Sequence, residues 1–200
     1  VDAYELGAKT KFVAPLPGTF NIALFYNELN DQQIQTGFQS SAGAAPPTTG
    51  ILNAGKSTIA GVEVESTLWL LDDLTLDLGY TFLDTEIKSL HVPPVIPGAL
   101  YDIRVATSTE GDPMPMSPRH KLSATTTYRL PVSEEYGRIF VGSTYTYTAK
   151  QQTASSEDEF GTIDAFELLN LNFNWKTIAR SPFDLSLFVT NALNEKYENF

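Results

Sequence analysis

The sequence predicts an all-β chain, antiparallel and up-and-down, of the kind that forms a transmembrane β-barrel. Two observations carry that expectation. Apolar and polar residues alternate along about eight segments, and the links between the segments alternate between short and long. In LTLDLGYTF, for example, Leu74, Leu76, Leu78, Tyr80 and Phe82 share one side of a strand, and Thr75, Asp77, Gly79 and Thr81 share the other. No stretch of comparable length repeats at helical spacing.

The segments follow in order. Tyr4, Leu6, Ala8, Thr10 and Phe12 oppose Glu5, Gly7, Lys9 and Lys11. Phe20, Ile22, Leu24 and Tyr26 oppose Asn21, Ala23, Phe25 and Asn27. In GVEVESTLW, Val62, Val64, Ser66 and Leu68 face away from Glu63, Glu65 and Thr67. After LTLDLGYTF, KLSATTTYRL sets Leu122, Ala124, Thr126, Tyr128 and Leu130 against Ser123, Thr125, Thr127 and Arg129. RIFVGSTYTYT, LLNLNFNW and FDLSLFVTN complete the series, with Leu169, Leu171, Phe173 and Trp175, then Phe183, Leu185, Leu187 and Val189, on the apolar side.

The links PLPGT, LLDD, PVSEEYG and TIARSP are short, whereas those through 28–58, 85–118 and 150–163 are long and rich in Gly, Pro, Ser, Thr, Gln and acids. Alternate links of a meander emerge at one end, so this sorting gives a short-turn rim and a long-loop rim, as in outer-membrane barrels. The loops around Thr48, Tyr101 and Ser156 are then expected outside the cell and the tight turns in the periplasm. Strands of about 9 to 11 residues suit a tilted crossing of hydrocarbon. The polar faces hold mostly Thr, Ser, Asn and Gly, and aromatics stand near strand ends: Tyr4, Phe12, Tyr26, Trp69, Tyr80, Phe82, Tyr145, Tyr147, Trp175 and Phe183, as interfacial girdles require. The competing reading is a soluble β-sandwich binding module, for example for carbohydrate, with the same aromatics in its sites.

Composition excludes several classes. With 13 Lys and Arg against 24 Asp and Glu, the net charge of −11 and the lack of any basic run argue against nucleic acid as a partner. The chain has no cysteine, which removes disulfides, thiolate metal sites and Cys nucleophiles. No apolar run reaches the roughly 18 residues of a membrane-spanning helix, and no signal segment opens the chain.

The segments YELGAKTKF, FNIALFYNELNDQQIQ, NAGKSTIAGVEVES, LTLDLGYTFLDTEI, MSPRHKLSATTTYRL, YTYTAKQQ and FVTNALNEKYENF, in this order and spacing, resemble the C-terminal part of a TonB-dependent outer-membrane receptor. The resemblance runs over nearly the full length. It implies a barrel of about 22 strands with an N-terminal plug, located in the outer membrane of a Gram-negative bacterium. It also implies uptake of a scarce nutrient, a ferric siderophore foremost, energised by TonB. On this reading residues 1–200 are the C-terminal part of the barrel, about eight of its strands, with the plug domain and the final strand absent. The implied partners are outer-membrane lipid, the receptor's own plug, the TonB complex and an iron chelate.

No catalytic group, resident metal or cofactor is expected. The two histidines are His91 and His120. His120 starts a strand in PRHKL and is read as structural or interfacial. His91 lies in the longest loop, and a metal site with Asp84 or Glu86 has no supporting ligand spacing. In HVPPVIPGALYDIR, His91, Tyr101 and Arg104 are the candidate substrate contacts, combining rings with placed charge. Glu63, Glu65 and Asp77 should share the lumen face, either pairing with cations of the plug or solvated by lumen water. The run SSEDEF is read as solvated surface.

Overall fold

The computed structural model describes residues 1–91, 94–105, 109–153 and 161–197. Eight antiparallel strands follow one another across one open sheet: β1 (Asp2–Phe12), β2 (Gly18–Gln39), β3 (Thr48–Leu71), β4 (Leu74–Leu90), β6 (His120–Arg129), β7 (Arg138–Thr148), β10 (Phe166–Lys176) and β11 (Leu185–Val189). A short strand, β5 (Ile103–Val105), joins the sheet beside β2, and β8 (Gln151–Gln152) pairs with β9 (Thr162–Ile163) separately.

The register brings the alternation of every strand into phase. Leu6 stands opposite Leu24, Leu24 opposite Val62, Val62 opposite Phe82, and on the next strands Tyr80 pairs with Leu122 and Leu122 with Tyr147. Farther along, Tyr128 faces Val141, Val141 faces Phe173 and Phe173 faces Leu187. Directly opposed residues point to the same side, so these pairs make one continuous apolar face. Leu6, Leu24, Leu122, Leu171 and Leu187 are all exposed on it. Among the described residues the buried hydrophobics are only Ile87 and Ile163, so the two faces enclose no core. A β-sandwich would need a second sheet packed on the first, and the soluble-module alternative fails on that ground.

The long-loop rim differs from expectation. Residues 28–58 are not a loop: β2 continues to Gln39 and β3 starts at Thr48, leaving residues 40–47 as the link. Strands of 22 and 24 residues extend to roughly 70 to 80 Å at about 3.3 Å per residue, well beyond the roughly 25 Å apolar band of a barrel. The hairpin therefore projects as an arm, and register shifts between Leu29 and Gln33 and between Lys56 and Ser57 mark where it leaves the wall. Asp31, at the first of these shifts, has φ 55°. The other links match the expected asymmetry, from the two-residue turn between β3 and β4 to the excursion from Leu90 to His120. The SSEDEF run, with Ser156, lies outside the described residues.

Gly61 on β3 shows how closely the wall is packed. A Cβ there would sit 2.4 Å from the Phe25 ring and 2.5 Å from the carbonyl oxygen of Phe82. Backbone cannot retreat as a flexible side chain can. Gly61→Ala should lower stability by about 1 to 3 kcal/mol, read from the urea midpoint of reversible refolding in lipid, and an unchanged midpoint would contradict the close approach.

Candidate functional site

Two regions of the sheet carry polar chemistry: the polar face and the long-loop rim. On the polar face Glu63 stands opposite Thr81, Glu65 opposite Gly79 and Thr67 opposite Asp77, so the three expected carboxylates share one wall. The Thr67 hydroxyl donates to Asp77 at 2.6 Å. Glu63 and Glu65 have no ion-pair partner among the described residues, and Lys121 lies one strand beyond Thr81 on the same face. The ammonium of Lys11 is 5.9 Å from the centre of the Trp69 ring. Trp69 pairs with Thr75, so it belongs to the polar face and not to the aromatic girdle expected for it. Toward β10 the wall turns to hydroxyls and amides: Thr125 and Thr144 share a hydrogen bond of 3.1 Å, and Ser186 donates to Asn174 at 2.9 Å.

On the apolar face, near the long-loop rim, His120 stacks on Tyr80 with ring centres 6.1 Å apart and contacts Phe82 at 5.4 Å. Its Nδ1 is 2.9 Å from the Tyr80 hydroxyl. The Arg119 guanidinium lies 5.4 Å from the Phe82 ring and 3.4 Å from Asp84. His120 thus belongs to an aromatic and cationic band at the end of the apolar stripe, as its interfacial reading requires.

Above this band the chain between β4 and β6 returns alongside β4. Gly111 donates to the Ile87 carbonyl, Ile87 to the Asp112 carbonyl and Leu83 to the Arg119 carbonyl, each at 2.9 Å. The β8–β9 hairpin joins it through the Met116 amide, which donates to the Gln152 carbonyl at 2.8 Å. Between these segments opens a cavity of about 1020 Å³ lined by Asp84, Glu86, Arg119, Lys150, Gln152 and Asp164, among others. Glu86 is ion-paired to Lys88, and the side-chain oxygen of Gln152 is buried with no hydrogen-bond partner among the described residues. Cations, carboxylates and this acceptor together suit a polar solute.

The structure does not bring the loop candidates to this cavity. His91 is exposed just past β4, while Tyr101 and Arg104 lie at β5, where Arg104 pairs with Phe38 of β2. Among the described residues no group of three or more His, Cys, Asp or Glu could hold a metal, so His91, Asp84 and Glu86 do not converge on one. Sequence reasoning passed over Arg119, Lys150 and Gln152, although MSPRHKL and YTYTAKQQ contain them.

A sheet with an uninterrupted apolar face, a polar face and one rim of long excursions is a barrel wall. The sequence profile of the family described as TonB dependent receptor-like, beta-barrel, matches residues 1–192. The chain belongs to that family. Solved structures agree on the fold of this TonB-dependent receptor barrel. The ferric yersiniabactin uptake receptor FyuA from Yersinia pestis superposes with a TM-score of 0.68 at 18% identity, over 98% of this chain and 25% of its own. The siderophore receptor PiuA from Acinetobacter baumannii gives 0.67 at 20% identity, over 98% and 24%. BauA, the ferric preacinetobactin receptor of the same organism, gives 0.64 at 14% identity, over 98% and 25%. The chain thus spans about a quarter of the length of these receptors. No curated protein sequence matches it.

The Asp84–Arg119 pair is 64% exposed on both sides, so its contribution to stability is small. Arg119→Gln should lower stability by less than about 1 kcal/mol in a refolding titration. A loss of several kcal/mol would show that the guanidinium supports the wall itself.

Proposed function

We propose that this chain forms part of the wall and outer loops of an outer-membrane receptor that takes up a scarce nutrient, foremost a ferric siderophore, through a plugged barrel energised by TonB. The observation that carries the reading is the in-phase apolar face on a member of the TonB-dependent receptor barrel family, since a face of that extent suits a bilayer. The iron chelate as cargo is supported by the siderophore receptors FyuA, PiuA and BauA, which share the fold. No covalent chemistry is assigned: the protein binds, releases and passes its cargo.

In this reading the polar face lines the lumen, and Glu63, Glu65 and Asp77 meet cations of the plug. Glu63 and Glu65 form no ion pair among the described residues, which makes them the natural acceptors. His91, Tyr101 and Arg104, with the cavity around Arg119 and Lys150, are the candidate nutrient contacts at the long-loop rim. The full-length receptor should restore growth on iron-limited medium to a Gram-negative strain lacking its own siderophore receptors. The panel comprises ferric catecholates, ferric hydroxamates, ferric yersiniabactin and ferric preacinetobactin. At least one chelate should work, and only with TonB present; growth on none, or growth without TonB, contradicts the proposal.

Two further outcomes test the placement. Leu78→Arg should cost roughly 2 to 4 kcal/mol in reversible refolding in lipid, while Thr75→Arg and Thr81→Arg cost much less; the reverse order would exchange the faces. Cysteines at Thr48 and Tyr101 in the full-length receptor should react on whole cells with an impermeant thiol reagent. Cysteines at Asp72 and Glu134 should react only after the outer membrane is opened, and the opposite pattern would invert the topology.

A further inference from the structure

The excursion between β4 and β6 does more than connect its neighbours. β5 lies on the edge of β2 away from β3, because Gly37, Phe38 and Gln39 pair with Val105, Arg104 and Ile103 on one side, and Gly37 and Phe38 pair with Thr49 and Thr48 on the other, whereas β4 ends lower, with Leu90 opposite Gly55. The chain leaves β4 at Leu90, passes the widths of β3 and β2 to reach Ile103, and is back beside β4 at Gly111. Across the sheet that is three strand spacings each way, roughly 14 Å, besides the climb along β3 from Gly55 to Thr49. Residues 94–105 are strapped to the far edge of the projecting arm.

What holds the strap is local. Thr36 donates from its hydroxyl to the Val105 carbonyl at 3.1 Å and is only 2% exposed. Gly37 allows the close approach, since a Cβ there would lie 3.2 Å from the Cβ of Val105. Asp102 accepts from the Ser41 amide at 2.7 Å and from the Ser41 hydroxyl. These two hydrogen bonds, the hydroxyl's the larger effect, hold the Asp102 carboxyl below its ordinary range. Ile96, Leu100, Ile103 and Val105 all remain exposed, so no apolar core backs the pairing. A three-residue edge with no buried side chains of its own belongs to the least stable part of a fold, and it can open without disturbing the wall.

We propose that residues 94–105 are a releasable strap, docked on the outer edge of β2 and fastened through Asp102 to Ser41, whose docked state sets the positions of Tyr101 and Arg104. Asp102 is a positioning residue: it lies between the two candidate contacts in sequence and acts through the β2 end of the arm. The consequence for nutrient capture rests on the function proposed above, whereas docking can be read without any nutrient.

The test uses the full-length receptor in outer-membrane vesicles, in which this chain contributes no native cysteine. Thr36→Cys is covered when the strap is docked, so it should react with a thiol reagent far more slowly than Ala42→Cys on the exposed tip. Adding Asp102→Ala should speed the labelling of Thr36→Cys by roughly fivefold or more, and Asp102→Asn, which keeps one acceptor oxygen, by less. Equal labelling in all three backgrounds, or a Thr36→Cys as reactive as Ala42→Cys, overturns the strap. Should Thr36→Cys fail to assemble, the Gly37→Cys/Val105→Cys pair reads the same equilibrium, because the opposed Cβ positions suit a disulfide after a few tenths of an ångström of adjustment. Its oxidation should be fast with Asp102 and slow with Asp102→Ala; equally slow oxidation in both overturns the proposal. Growth of Tyr101→Ala cells on the chelate panel separates the two readings. Unaltered growth removes Tyr101 from nutrient capture and leaves strap docking standing, while protection of Thr36 that is independent of Asp102 removes the strap alone.

Discussion

The structure depends on keeping eight strands in phase. Side chains alternate with a period of two residues, so a slip of one residue between any neighbours would turn the apolar set of one strand into the polar face of the next. From Leu6 opposite Leu24 to Phe173 opposite Leu187, no slip occurs within the wall. The irregularities fall at its margins, between Leu29 and Gln33, between Lys56 and Ser57, and between Trp69 and Leu71 beside the β3–β4 turn. There a bulge turns no apolar residue into the wrong medium. Freed from that requirement, β2 and β3 continue as a polar arm.

A wall that encloses no core distributes its work between two solvents. One face needs only to be apolar, so Leu, Tyr, Phe and Val interchange along it with little consequence for packing. The other face is free to specialise, and it does so by sector. Charge gathers on β1, β3 and β4, with Lys9, Lys11, Glu63, Glu65 and Asp77, whereas the middle of β6, β7 and β10 carries Ser123, Thr125, Thr144, Asn170 and Asn172. In the reading proposed above, Glu63 and Glu65, which form no ion pair among the described residues, demand an incoming cation. Hydroxyls and amides that already bond one another make no such demand.

The wall was legible in the sequence because a half-buried strand writes its period directly into residue order. The shared face of Glu63, Glu65 and Asp77 followed from parity and register alone. Where both faces are wet the signal vanishes. Residues 28–39 and 48–58 show no sustained alternation, since Gln, Thr and Ser serve on either side, and they read as loop although most of them pair. Trp69 misled for a related reason: proximity to a strand end suggested a girdle, but its pairing with Thr75 decides the face. The cavity around Arg119, Lys150 and Gln152 was not readable, because the return of residues 109–119 along β4 and the β8–β9 hairpin assemble it from distant segments.

One face of this sheet is assigned to hydrocarbon and the other to water. Spin labels placed singly from Leu74 to Phe82 in the full-length receptor, reconstituted in lipid bilayers, test it most directly through collision with dissolved oxygen and with a polar nickel chelate. Both contacts should alternate with a period of two. Oxygen contact should peak at Leu74, Leu76, Leu78, Tyr80 and Phe82, and nickel contact at Thr75, Asp77, Gly79 and Thr81. An alternation of the opposite phase, or none at all, would contradict it.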